Sequence, residues 1–290
     1  MNLPARKSAP SPCIRIERAG AVATLVIDRR ARFNSLDVVT AQDLRRAALA
    51  LARDESVRCV VLTGAGGVFC SGADLKYIRE GGGETDLGYL RPQQRPDANA
   101  GGYGEVFKQI LEYLHSSISE IRRAPKPFIA AVDGIAAAGG LGLAMCCDLV
   151  VASDAATFEW AYGRTGLTGA ESTTFFLPRL LGMRRAMELV LLNPRLSAED
   201  ARAAGLVTRV FPRAEFETSV AALAAEVARG PTAAFARTKA LMNESMGGGA
   251  LDAHLDAELA TLAAIADGPD FAEGMAAFFE KRTPEFEGRG

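Results

Sequence analysis

Two glycine-bearing segments carry the chemistry available to this chain. Ala138-Gly139-Gly140-Leu141-Gly142-Leu143-Ala144-Met145 follows the apolar run Phe128-Ile-Ala-Ala-Val132 and its turn Asp133-Gly134, as a short helix follows a strand. The first N–H groups of a helix have no intrahelical acceptor and carry partial positive charge, so a glycine-lined helix start lets a developing oxyanion come against it. Gly66-Gly67-Val68-Phe69-Cys70-Ser71-Gly72-Ala73-Asp74-Leu75-Lys76 has the same character. Each reads as one half of an oxyanion hole. Competing motifs are weak: there is no Gly-x-Ser-x-Gly elbow and no Gly-x-x-x-x-Gly-Lys phosphate loop, and Met145 stands where a dinucleotide fingerprint needs its third glycine. Two histidines and scattered cysteines form no metal-ligand pattern, so no metal is expected.

The elements that must position these segments are legible as alternation. Residues 21–27 are β-rich and end at a charged cluster, after which Asn34 and Ser35 are candidate caps for a helix running to about Arg53. Residues 57–63 then read as a buried strand bounded by the Gly64 to Gly67 turn, which completes a strand, helix, strand crossover. Residues 81–104 carry seven glycines and two prolines and read as a long loop. A helical pattern returns over 106–123 and stops at Pro125 and Pro127, before the strand that leads into Gly139. Residues 148–153 form a further strand, and 171–181 read as a helix interrupted or started by Pro178. Beyond them lie amphipathic stretches at 184–192, at 197–204 with Ser197 as cap and Asp200 at its third position, at 212–229 and at 232–246.

The totals fit this organisation. With 290 residues, 49% of them apolar, the chain can bury a large core. Thirty-three basic against 35 acidic residues give a net charge of -2, which offers neither nucleic acid nor an anionic membrane an electrostatic handle. Five cysteines, two adjacent in an apolar pattern, suit buried thiols and a reducing, cytoplasmic compartment better than a disulfide framework. No segment has the length of apolar residues that a signal peptide or membrane span requires. The expected division is a disordered arm over 1–12, an α/β core over 13–211 and a helical region over 212–290.

In order along the chain, Phe33-Asn-Ser-Leu36, Phe69-Cys-Ser-Gly-Ala-Asp-Leu-Lys76, Pro127-Phe-Ile-Ala-Ala-Val-Asp-Gly134 running into Ala138-Gly139-Gly140, and Cys147-Asp-Leu-Val150 make a distinctive series. Gly182-Met-Arg-Arg-Ala-Met-Glu-Leu189, residues 198–207 and the tail Phe278-Phe-Glu-Lys-Arg-Thr-Pro-Glu-Phe286 extend it. The chain resembles the crotonase superfamily, also called the enoyl-CoA hydratase/isomerase family, over roughly 21–286. The resemblance implies a spiral of β-β-α repeats, a C-terminal helical trimerisation region, homotrimers or hexamers, and acyl-CoA thioesters as substrates with no prosthetic group. It also implies that the N–H groups of Ala73 and Gly139 hold the thioester oxygen as it becomes an enolate, a role that suits small residues following a turn.

The pattern breaks at the acids. Hydratases of the family carry one glutamate three residues beyond the glycine donor, here Gly142, and a second at the position of Tyr162. Glycine cannot orient water or move its proton, so ordinary hydration is disfavoured and the space beside Gly142 is expected to admit a bulky or aromatic acyl group. Isomerising members place a carboxylate further along the second loop, at Ala170 here, and one residue of slack would bring Glu171 in. Its two readings are a general base, whose ionised form a helix dipole would favour, and a first-turn helix acid.

His115 matches in position a histidine of the 4-chlorobenzoyl-CoA dehalogenases, yet their nucleophilic aspartate falls on Ala170, which argues against dehalogenation. His115 is otherwise a packed core histidine. Tyr162 is a poor base at neutral pH and either donates a proton or, with Trp160, walls an acyl pocket. Asp74 braces its turn or caps a helix starting near Leu75. Lys76, Lys281 and Arg282 are candidates for the coenzyme A phosphates, or solvated surface charges.

The sequence thus points to an acyl-CoA-processing enzyme, a double-bond or ring isomerase or an atypical hydratase. The alternatives are a catalytically weak acyl-CoA-binding protein of the same fold and an acyl-CoA hydrolase.

Overall fold

Strand β3 (Cys59–Gly64) shows how the chain organises its core. Cys59 and Val61 face one apolar cluster and Val60 and Leu62 another, so both faces of the strand are buried, as its unbroken apolar run requires. The computed structural model describes residues 13–82, 102–245 and 248–285. The expected arm over 1–12 and most of the glycine-rich loop over 81–104 lie outside the described residues.

A six-stranded sheet forms around β3. Its order is β1 (Ile14–Ala19), β2 (Val22–Ile27), β3, β4 (Phe128–Val132), β6 (Leu149–Ser153) and β9 (Arg209–Phe211). Only β1 and β2 are antiparallel, and all later pairings are parallel. A second sheet has the order β5 (Ile135–Ala137), β7 (Thr157–Glu159) and β8 (Arg195–Ser197). Successive passes of the chain therefore stack in two columns: Leu25, Leu62, Ala130 and Val150 in one, and Cys70, Ala136, Phe158 and Leu196 in the other. This is the mixed α/β spiral that the resemblance implies.

Helices close both sides. α1 (Val38–Arg53) and α3 (Tyr103–Arg123) pack on each other over one face of the main sheet. The short α2 (Leu75–Arg79) and α4 (Gly139–Met145) begin at the two glycine segments, and α5 (Thr173–Leu181), α6 (Met183–Leu192) and α7 (Ala198–Ala204) follow. α7 carries the expected capping box between Ser197 and Asp200. α8 (Phe216–Arg229) covers the opposite sheet face with Phe216, Val220, Leu223 and Ala224 against Val61, Ile129, Ala131 and Val151. α9 (Thr232–Ser245), α10 (Gly248–Ala266) and α11 (Pro269–Glu280) complete the chain, with α10 lying along α3. Among the described residues no helix is long and apolar enough to cross a membrane.

Two helix starts differ from the sequence reading. α1 is capped by Asp37, whose side chain accepts the Thr40 N–H at 2.8 Å. Asn34 instead pins the loop: its Oδ1 accepts the Arg29 N–H, and its Nδ2 donates to the Ala65 and Val68 carbonyls. α5 begins at Thr173, so Glu171 is not a first-turn residue. Glu171 and Ser172 both have left-handed backbone, with φ of 47° and 63°, and the segment turns sharply before the helix.

Candidate active site

The two glycine segments meet. The Ala137 N–H donates to the Cys70 carbonyl at 3.0 Å and the Cys70 N–H to the Ile135 carbonyl at 3.1 Å, which lashes one segment to the other. The approach is close enough to demand glycine. A Cβ on Gly140 would lie 2.1 Å from the Cys70 carbonyl oxygen, and one on Gly72, whose φ is +91°, would lie 3.2 Å from the Gly139 nitrogen. Leu36 holds the first segment from its other side, donating its N–H to the Gly72 carbonyl and accepting the Asp74 N–H. Because neighbouring N–H groups alternate in direction along extended chain, that of Ala73 points away from Leu36. Among the described residues neither the Ala73 nor the Gly139 N–H has an acceptor. Two unsatisfied donors on adjoining segments are what an oxyanion hole consists of.

Asp74 is the brace. It caps α2 by accepting the Tyr77 N–H at 3.0 Å, and it is clasped by Arg29 at 2.8 Å and by Arg32. Burial alone would raise the Asp74 carboxyl, but hydrogen bonds from Arg32, Tyr77 and Arg29 outweigh it and hold the carboxyl below its ordinary range.

Beside Ala73 lies a cavity of about 460 Å³, which Ala138 lines and the buried Gly139 does not. Its walls are largely apolar, with Phe107 from the core, Ile135 from β5 and Leu262, Phe278 and Phe279 from the last two helices. Ala73, Tyr162 and Glu171 all line it, and Lys76 stands exposed on its border.

Glu171 fills the position the sequence left empty. A Cβ on Gly142 would fall 2.1 Å from the Glu171 carbonyl oxygen and 2.9 Å from its Cβ, so the space beside Gly142 belongs to Glu171 and is not free for a large acyl group. The Glu171 carboxylate carbon and one oxygen lie 2.9 Å from where a Cβ on Gly139 would be. The room beside Gly142 is thus taken by an acidic residue from another segment. Glu171 is only 3% exposed, and the Tyr162 hydroxyl donates to its Oε2. Burial pushes the Glu171 carboxyl up to about 7; the Tyr162 hydrogen bond opposes this and the like charge of Glu258 adds to it. The expectation that a helix dipole favours its ionised form is therefore reversed, since Glu171 precedes the helix and desolvation dominates. Burial and the adjacent Glu171 in turn hold the Tyr162 phenol well above its ordinary value, so it serves as a donor and not as a base.

The loop bearing Tyr162 is anchored by a buried carboxylate. Glu159 accepts from Arg164 at 2.6 Å, Arg195 at 3.2 Å and Asn193 at 3.2 Å, while Asn193 Oδ1 accepts the Ala161 N–H at 2.7 Å. Trp160 is buried behind Tyr162, their ring centroids 5.0 Å apart, and it does not line the cavity. His115 is also absent from the cavity wall. It is buried on α3 with its Nε2 3.9 Å from Glu258, and burial brings its imidazole down to about 4, so it stays neutral near pH 7. Lys281 ends α11 in a left-handed cap, and Arg282 is engaged by Glu273 and Glu280; neither lines the cavity.

Glu258 went unread in the sequence. It sits on α10, only 5% exposed, and accepts the Ser172 N–H at 2.8 Å and the Thr174 hydroxyl at 2.5 Å. The available signal was His254 and Glu258 one helical turn apart.

The enoyl-CoA hydratase/isomerase family model matches residues 17–95 and 102–289. A probable enoyl-CoA hydratase of Rhodobacter capsulatus is 37% identical over 95% of this chain and 98% of its own. The 1,2-epoxyphenylacetyl-CoA isomerase of Escherichia coli is 32% identical over 92% of this chain and 95% of its own. The crystal structure of an enoyl-CoA hydratase from Mycobacterium avium subsp. paratuberculosis superposes with a TM-score of 0.81 at 31% identity, covering 96% of this chain and 99% of that one. The chain belongs to the enoyl-CoA hydratase/isomerase family.

Proposed function

We propose that this protein is an acyl-CoA isomerase: it moves a double bond, or rearranges a ring, of a CoA thioester through an enolate. The observation that carries the reading is the buried carboxylate of Glu171 against Gly139, pushed up to about 7, with Tyr162 as its hydrogen-bond donor. A 1,3 proton shift needs one base that takes a proton and returns it to another carbon, and a group titrating near neutrality does both. Ionised Glu171 removes a proton from the carbon chain, and the electron pair moves onto the thioester oxygen. The N–H groups of Ala73 and Gly139 bind that oxygen; in acyl-transfer enzymes such a donor contributes about 3 kcal/mol. Protonated Glu171 then returns the proton to the other carbon, and no water is consumed.

Hydration would need a second free proton-transfer group. The other carboxylates lining the cavity, Asp74 and Glu159, are each held by two arginines. The acyl end fits the apolar wall, and Lys76 on the border is the best-placed cation for the coenzyme A phosphates. Exposed Met183, Leu191 and Leu192 on α6 support self-association into a homotrimer or hexamer, in which Lys281 would be free to reach a neighbouring subunit's ligand.

The test is a panel of aliphatic and aromatic enoyl-CoAs in deuterated buffer with mass detection. Isomerised product that has gained deuterium but no water is expected. Hydrated product in excess would make the protein a hydratase. Binding without exchange across the panel would make it a binding protein.

A further inference from the structure

Glu171 reaches the donors only because two consecutive non-glycine residues, Glu171 and Ser172, adopt left-handed backbone. That conformation is costly for each and persists only where the surroundings impose it. The Ser172 N–H, in a residue with no exposed surface, has one acceptor: Oε2 of Glu258, at 2.8 Å. The other oxygen of Glu258 accepts the hydroxyl of Thr174, in the first turn of α5, at 2.5 Å. One carboxylate therefore grips the chain on both sides of Thr173, directly after the residue that must be aimed.

We propose that Glu258 is a positioning residue for Glu171: through the Ser172 N–H it fixes the left-handed turn that lays the Glu171 carboxylate against Gly139. The inference rests on Glu171 being the base. It makes α10, in the C-terminal helical region, part of the apparatus that sets the chemistry of the spiral core.

The groups facing Glu258 come from two helices, a turn and a loop. His254 lies one turn earlier on α10, its Nε2 3.3 Å from Oε1; His115 reaches in from α3 at 3.9 Å; Glu171 and Tyr162 act on it from the turn before α5 and from the preceding loop. Among the described residues neither Glu171 nor Glu258 is paired with a lysine or arginine. Burial raises the Glu258 carboxyl, and its charge in turn raises that of Glu171. Glu258 thus holds the base in place and also helps to set where it titrates.

The experiment follows Glu171 directly. Protein labelled with 13C at glutamate carboxyls is titrated by NMR, the Glu171 signal being the one lost in Glu171→Gln, and exchange of the Ser172 amide is measured in parallel. Glu258→Gln keeps an acceptor for Ser172 and removes the charge: the Glu171 midpoint is expected to fall by about one unit while the amide stays protected. Glu258→Ala removes the acceptor: the midpoint is expected to fall and the Ser172 amide to exchange at least about tenfold faster. A residue that only supports the fold would lower the melting temperature and move neither signal. Unchanged midpoint and protection in Glu258→Ala would overturn the proposal, and if that variant does not fold, an unchanged midpoint in Glu258→Gln does so. Full turnover in Glu171→Gln would instead sink the isomerase base while leaving the positioning result standing.

Discussion

Asp74 and Glu171 line the same cavity, each only 3% exposed and each next to one of the two donor segments, yet their surroundings drive them apart. Asp74 sits between Arg29 and Arg32, accepts a helix-start N–H and stays ionised. Glu171 has apolar neighbours, one phenol and a second carboxylate, and titrates near neutrality. Both are buried acids, but one is fastened so that it cannot change and the other is left free to exchange a proton. Environments that separate the pKa values of two nearby acids divide structural from chemical roles.

The contrast breaks most sharply at the base itself. Glu171→Gln is expected to lower turnover about a thousandfold, read as kcat on the substrate found by the panel. The wild-type profile should rise with pH through about 7, because the ionised form is the one that abstracts a proton.

Asp74→Asn comes next. It leaves two guanidinium groups without their buried partner and should cost about 3 kcal/mol of stability in urea melts, without moving the midpoint of the pH–rate profile. The two acids should also affect stability in opposite directions. The depressed Asp74 stabilises the fold at neutral pH, and that contribution is lost as pH falls through its lowered value. The folded value of Glu171 lies above its ordinary 4.5, so wild-type stability is lost as pH rises from about 4.5 to 7. Comparing melts at pH 5 and pH 8, Glu171→Gln should recover up to about 3 kcal/mol relative to wild type at the higher pH.

Gly142→Ala tests the packing behind the base. The added methyl meets the Glu171 carbonyl at 2.1 Å, so the segment must move, and a loss of turnover of about a hundredfold is expected. The smallest effect belongs to Tyr162→Phe. Removing a hydrogen bond that favours the ionised carboxylate should raise the midpoint of the pH–rate profile by about one unit and lower turnover at neutral pH up to about tenfold.

Much of the fold was legible because it is written in local pattern. The strands around 57–63, 128–132 and 148–153 and the capping box at Ser197 all appear as read. Errors fell where side chains compete for backbone groups. Asn34 and Asp37 are both good caps, and the choice turned on Asn34 being taken by carbonyls more than thirty residues away. In the site, the two glycine segments could be read from their glycines, whereas Trp160, read as a wall of the pocket, and His115, read as a core histidine or a catalytic one, both lie outside its lining.

The sequence by itself determined the family, the two glycine segments and the absence of acids at Gly142 and Tyr162, since each depends on residue identity in a short stretch. Only the tertiary structure decided that Glu171 takes up the room those absences leave. A left-handed turn at Glu171 and Ser172 has no strong local signal in non-glycine residues, and the carboxylate that satisfies it, Glu258, is 86 residues further along the chain. A glycine that reads locally as a missing acid becomes, once the helices are packed, the surface on which Glu171 rests.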